Sequence, residues 1–256
     1  SVPMCGDWYA RNMYIQGSPQ YNYHVRHYGH PSKFGYKDIC KLWKAENFDP
    51  EGLMELYHRA GARYFVAQAM HHDNFFNYES QVNRFNSVNI GPGKDICSLW
   101  KAAADKYQMP FGLTEHLGAS FSWWYVNKCS DSYGPYKGVP YDGNDPEYQD
   151  FYHANQEHIQ PGNTGEMAQW LTGNRKFQKE LVDKFHPALL YSDSGLPFEE
   201  EGYAPGLEAV AYLYNDSIAR NGENQAIYTQ KNRTPDVYRV GTLDIEKSQL
   251  PGVQPY

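Results

Sequence analysis

The sequence predicts an α/β fold on a parallel sheet, a (β/α)8 TIM-like barrel. Helix-like and strand-like stretches alternate along the chain, which is the pattern of repeated β–α–β units. The strand-like stretches are short and nearly all apolar, as strands covered on both faces are. Each ends in a polar cluster, and in such a barrel the C-terminal strand ends converge on one rim. The 256 residues suit one large domain, so residues 1–256 are read as a single barrel domain. About five strands are visible against the roughly eight that close a barrel. The barrel is therefore expected to be partial, incomplete at both ends.

The elements follow in order. Residues 1–40 read as an aromatic loop region. Asp49-Pro50-Glu51 starts a helix: Asp caps it, Pro suits the first helical position, and an acid in the first turn suits the helix dipole. Gly61 closes that helix, and Tyr64–Ala69 reads as a buried strand. Asp95 caps a helix through Tyr107, and Pro110–Leu113 is the next strand. A long aromatic loop runs from Leu117 to Gln160, and Pro161 opens a helix reaching Phe185. Ala188–Tyr191 is a strand, Leu207–Ala219 a helix ended by Asn221-Gly222, and Ala226–Tyr228 and Val240–Ile245 are the last two strands.

Composition excludes several classes. Lys plus Arg is 23 against 30 Asp plus Glu, a net charge of −7, so no nucleic-acid partner is expected. Mean hydropathy is −0.76, and no apolar run approaches the ~18 residues of a spanning helix, so no membrane insertion is expected. Cys5, Cys40, Cys97 and Cys129 form no CxxC pair. Aromatics make up 16% of the chain, with 23 Tyr, 12 Phe and 6 Trp. They are either core or the walls of a pocket for a hydroxylated ligand. Trp123-Trp124-Tyr125 stays open between those two readings.

Five polar clusters end the strands: His71-His72-Asp73, Thr114-Glu115-His116, Ser192-Asp193-Ser194, Gln230-Lys231-Asn232-Arg233 and Asp244-Ile245-Glu246. Carboxyls, imidazoles and an arginine on one rim suit acid–base work on a neutral polar substrate. GxGxxG, GxSxG and HExxH are absent, and Gly91-Pro92-Gly93-Lys94 lacks phosphate-loop spacing. Adjacent His71 and His72 on a strand would face opposite ways, so neither a metal nor another cofactor is expected. The acids of the long loop, Asp131, Asp142, Asp145, Glu147 and Asp150, are expected to be solvated.

At these clusters the sequence resembles the α-L-fucosidases of glycoside hydrolase family 29. Asp7-Trp8-Tyr9 resembles the family's Glu-Trp-Tyr loop. Ala60–Val66 followed by His71-His72-Asp73-Asn74-Phe75 resembles its strand and His-His-Asp-Gly-Phe motif. Leu189-Leu190-Tyr191-Ser192-Asp193 resembles the strand carrying the nucleophilic Asp, and Asn232-Arg233 and Leu243–Glu246 resemble later sites. The resemblance implies removal of terminal fucose with retention, from a fucosylated oligosaccharide or glycoconjugate. It implies Asp193 as nucleophile and Glu246 as general acid/base. His71 and His72 would hold sugar hydroxyls, Trp8 and Tyr191 would pack around the sugar, and Arg233 would line the pocket with Asp7, Glu115 and His116. The family's first strand would lie before Ser1, and its last strands and C-terminal β-sandwich beyond Tyr256. The resemblance suggests a secreted, periplasmic or lysosomal full-length protein, and the residues themselves leave the compartment open. The departures are Asp7 for Glu, Asn74 for Gly, Tyr191 for Trp, and Glu115-His116 where relatives carry Tyr or His with Ser.

The chemistry needs two carboxyls flanking the glycosidic bond. Asp193 would be kept ionised by Arg233 or a nearby His. The proton donor would be raised by burial, and Glu246, Glu115 and Asp244 are the candidates in that order. The alternative is an inactive or sugar-binding relative.

Overall fold

In a computed structural model the described residues are 8–154, 175–193, 204–231 and 239–244. Five strands form one sheet: β1 Phe65–Gln68, β2 Phe111–Glu115, β3 Leu189–Ser192, β4 Ile227–Gln230 and β5 Thr242–Leu243. They lie in sequence order, and every neighbouring pair is parallel. The helices between them are Ile96–Lys106 after β1, Arg175–Phe185 after β2 and Ala204–Asn221 after β3, with Pro50–Arg59 before β1. Among the described residues the sheet is open at β1 and β5.

Local signals set the helix starts. Asp49 accepts from the Gly52 amide and Asp95 from the Ser98 amide. The first forty residues are not all loop. They hold helices Tyr9–Asn12, Pro19–His27 and Tyr36–Leu42, the second capped by Ser18 accepting from Tyr21 with Pro19 at the first position. The Ser18-Pro19 signal was present in the sequence, but the Tyr/His-rich stretch after it lacks a clear apolar stripe.

The sheet has two unlike faces. Ala67, Leu113, Leu190 and Tyr228 point to the helices and share one core with Leu181, Val182, Phe185 and Leu213. Burying each large apolar side chain contributes about 1.5–3 kcal/mol. The opposite face carries the registered row Gln68, Thr114, Tyr191, Thr229 and Thr242. None of these five is buried.

A second core lies beyond the strand ends and takes up much of the aromatic excess. Tyr9, Tyr14, Trp124, Tyr141, Phe151 and Tyr152 pack there. It corrects the expectation of solvated loop acids at two positions. Asp131 accepts from Tyr21 and Tyr141 hydroxyls at 2.6 Å each, with His30 Nε2 at 3.1 Å. Asp142 accepts from Tyr14 at 2.7 Å, Tyr152 at 2.8 Å and Lys37 Nζ at 3.0 Å. A buried carboxylate is tolerated when donors surround it in this way. Asn74 sits at φ 59°, a left-handed conformation that Gly takes freely and Asn tolerates. Its amide donates to the carbonyls of Asp150 at 3.0 Å and Phe151 at 3.1 Å, tying the first polar cluster to this core.

Candidate active site

The sheet register builds the site. Thr114, Tyr191, Thr229 and Thr242 stand side by side on the half-open face. Side chains two residues further along point the same way. Those residues are His116, Asp193, Lys231 and Asp244. Four polar clusters separated by up to 128 sequence positions thus converge because the strands are parallel and in step.

Asp193 is the centre. Its backbone N–H donates to the Glu115 carbonyl at 3.1 Å, which fixes its direction. Oδ1 accepts from the Tyr191 hydroxyl at 3.0 Å and from the Lys231 ammonium. Oδ2 lies 3.6 Å from His72 Nε2 and 3.4 Å from His116 Nδ1, longer than strong hydrogen bonds. Partial burial pushes the Asp193 carboxyl up, but the Lys231 hydrogen bond, then His116 and Tyr191, outweigh it and hold it below the usual value. Asp193 is therefore ionised at neutral pH. His72 and His116 are each pushed down to about 4, chiefly by burial, and are neutral there.

His71 and His72 do not face opposite ways. Their ring centroids are 4.4 Å apart, and His71 lies 4.9 Å from His116. The strand ends at Gln68, so its alternation no longer governs residues 71 and 72. One ring nitrogen from each of His71, His72 and His116 falls within 4.8 Å of the others, close enough for the three to hold a metal ion after a small contraction. The Lys231 ammonium, which opposes positive charge on His72 and His116, makes a cation there less favourable.

Aromatic rings form one wall. Trp8 is 48% exposed and its ring sits 4.8 Å from Trp123. Trp123 in turn stands edge-on to His71 at 5.7 Å and tilted against His72 at 5.1 Å. Of Trp123-Trp124-Tyr125, both tryptophans belong to the second core, Trp123 also backs the histidines, and Tyr125 is exposed. Asp73 accepts from the Tyr36 hydroxyl at 2.6 Å. The Tyr191 ring meets His116 edge-on at 5.7 Å, and its hydroxyl also lies 2.8 Å from Asp244 Oδ2.

Glu115 is a correction. The sequence placed it among the pocket residues, but its carboxylate turns to the helix-facing side. Oε1 accepts from the Ser192 hydroxyl and Oε2 from the Leu117 amide at 3.1 Å, and the residue is 4% exposed. The reason is strand length. β2 runs to residue 115, so Glu115 pairs with Ser192 and shares the face of Leu113, while His116 shares the other. Burial raises the Glu115 carboxyl.

Of the remaining site residues predicted from sequence, Asp7, Arg233 and Glu246 lie outside the described residues. The structure brings together His71, His72, His116, Tyr191 and Asp193, with Trp8 at their margin. It adds Lys231 and Asp244 to the immediate surroundings of Asp193. Lys231 was visible within its cluster, but Arg233 two positions later carried the family resemblance and drew the assignment.

Comparison with known proteins gives the family. A tissue alpha-L-fucosidase of Macaca fascicularis is 26% identical over 225 residues, covering 86% of this chain and 41% of the relative. Human tissue alpha-L-fucosidase is 34% identical over 119 residues, covering 46% of this chain and 25% of the relative. The chain thus spans less than half the length of these relatives. The Thermotoga maritima alpha-fucosidase crystal structure in complex with fucose superposes with a TM-score of 0.61 at 26% identity, over 89% of this chain and 46% of that one. The family model described as alpha-L-fucosidase matches residues 1–248, so the chain belongs to the alpha-L-fucosidase family.

Proposed function

We propose that this chain is the catalytic part of a glycoside hydrolase that removes terminal α-L-fucose from glycans or glycoconjugates by double displacement. The rest of the barrel and a β-sandwich would be supplied outside it. The observation that carries this reading is the asymmetric setting of Asp193. Oδ1 is held by Lys231 and Tyr191, whereas Oδ2 faces His72 and His116 across 3.4–3.6 Å. Oδ2 is thus the oxygen placed to attack. Its electron pair would bond the anomeric carbon as the glycosidic C–O bond breaks, and the leaving oxygen would take a proton from Glu246. Glu246 would then take a proton from water, whose oxygen displaces Asp193 and returns the anomeric configuration to α.

Neutral His72 suits fucose, since an uncharged imidazole both donates to and accepts from hydroxyls, and His71 is proposed beside it as a second hydroxyl partner. Trp8 offers an exposed ring to the apolar face of the sugar. Asp7, His116, Tyr191 and Arg233 are proposed as further pocket residues. The deciding experiment is proton NMR of the first-formed sugar from an aryl α-L-fucoside and the full-length protein. Initial α-fucose is expected. Initial β-fucose would remove the double displacement, and no hydrolysis at all would favour a sugar-binding relative.

The Lys231 contact has a pH consequence. Asp193 works as the anion, so activity is present above its folded-state value and falls as pH drops through it. Lys231 helps hold that value down. Lys231→Met should move the acid limb of kcat/KM upward by about one unit, roughly 1.4 kcal/mol of lost anion stabilisation. An unmoved acid limb in the pH–rate profile would show that Lys231 does not govern Asp193.

A further inference from the structure

Tyr191 stands between two carboxylates. Its hydroxyl lies 3.0 Å from Asp193 Oδ1 and 2.8 Å from Asp244 Oδ2. A phenol has one proton and donates to one acceptor at a time. Burial, then the bond to Asp244, keeps that proton on the ring oxygen. Asp244 is fixed in place by its backbone, since its N–H donates to the Gln230 carbonyl at 2.7 Å, continuing the ladder of β4 and β5.

Charge on Asp193 changes during double displacement. The free carboxylate is an anion, whereas the fucosyl ester is neutral and a poorer acceptor. Asp244 is not itself esterified and keeps both carboxyl oxygens as acceptors. With Asp193 anionic, the Tyr191 proton has two competing acceptors. With Asp193 esterified, Asp244 is the stronger one. When water displaces the ester, charge returns to Asp193 and the hydroxyl turns back to meet it.

We propose that Asp244 is a positioning residue that acts through Tyr191: it competes for the Tyr191 proton so that Asp193 is incompletely hydrogen-bonded when it attacks, and it receives that proton's bond while the ester exists. This rests on Asp193 being the nucleophile. The charged and titratable groups around Asp193 in the described residues include His72 beyond β1, Glu115 at the end of β2 and His116 beyond it, Tyr191 on β3, Lys231 beyond β4 and, through Tyr191, Asp244 beyond β5. Of these, Asp244 is the one that meets Asp193 through a shared hydroxyl.

The test is a double-mutant cycle in the full-length protein with aryl α-L-fucosides of graded leaving-group ability. Asp244→Asn weakens the competing acceptor without removing the side chain, and Asp244→Ser serves if the amide variant fails to fold. The expected result is a roughly tenfold lower kcat, little change in KM and a lower acid limb, because Tyr191 then stays on Asp193. In a Tyr191→Phe background the same substitution should change kcat by less than about twofold. Equal losses in both backgrounds would overturn the proposal. So would a loss that grows as the leaving group worsens, because that marks Asp244 as the proton donor to the leaving oxygen. Asp193→Ala reports separately on the nucleophile, so the two readings fail by different results.

Discussion

Asp193→Ala should abolish turnover of an aryl α-L-fucoside by about 10⁴-fold or more in kcat/KM, equivalent to ~5 kcal/mol of lost transition-state stabilisation. The argument is geometric before it is chemical. Asp193 is the acid on which a strand end, two imidazoles, a phenol and an ammonium converge. Removing its carboxylate leaves no group at the position from which the anomeric carbon would be attacked. It leaves intact the residues proposed to bind the sugar, so KM should change far less than kcat. Azide supplied to this variant can enter the vacated space and attack from the same side. The product from an activated substrate should then be the inverted β-fucosyl azide. Activity within tenfold of the parent protein would remove Asp193 as nucleophile.

Asp142→Ala should cost about 3–5 kcal/mol of folding stability in the full-length protein. Asp142 is 8% exposed and is the common acceptor for Tyr14, Tyr152 and Lys37. Deleting it leaves one of two buried hydroxyls without an acceptor, since they keep only each other at 3.2 Å, and strips the Lys37 ammonium, 11% exposed at the side chain, of one of its two carboxylates, Asp38 remaining at 3.1 Å. Such an orphan costs more than a neutral hydrogen bond contributes, because water cannot reach it. Asp142→Asn keeps an acceptor and should lose less. Urea denaturation followed by near-UV circular dichroism measures both, and the many aromatics of this core give a strong signal. A loss under about 1 kcal/mol for the alanine variant would show that the network relaxes. The effect reaches the site, since this core supports Trp123 and, through Phe151, the Asn74 turn beside the histidines.

Much of the fold was legible because its signals are local. Asp49-Pro50-Glu51 and Asp95 announce helices through bonds made within one turn. Strands β1 to β5 were visible as short apolar runs, and their parallel order followed from the helices between them. Boundaries were less legible. β2 extends through Thr114-Glu115, which the sequence placed at the strand's end, and that extension turns Glu115 from the pocket to the core. β1 stops at Gln68, short of the predicted Ala69, and the turn beyond it gathers His71 and His72 on one side. Asp142 was read as a solvated loop acid because nothing within the loop reveals Tyr14 or Lys37, which come from the first forty residues.

The sequence alone determined the α/β class and the polar strand ends, since each depends on residue type and on spacing within a few positions, and the family resemblance singled out Asp193 among them. Tertiary structure decided which of those polar residues meet. Lys231, His116, Tyr191 and Asp244 reach Asp193 or its hydroxyl partner because four parallel strands are in register, and Glu115 does not because of strand parity. Register is set by hydrogen bonds between distant segments, and a step of one residue exchanges the two faces of a strand. Pattern within a segment shows that a residue sits at a strand end, but only the pairing between strands shows what it faces.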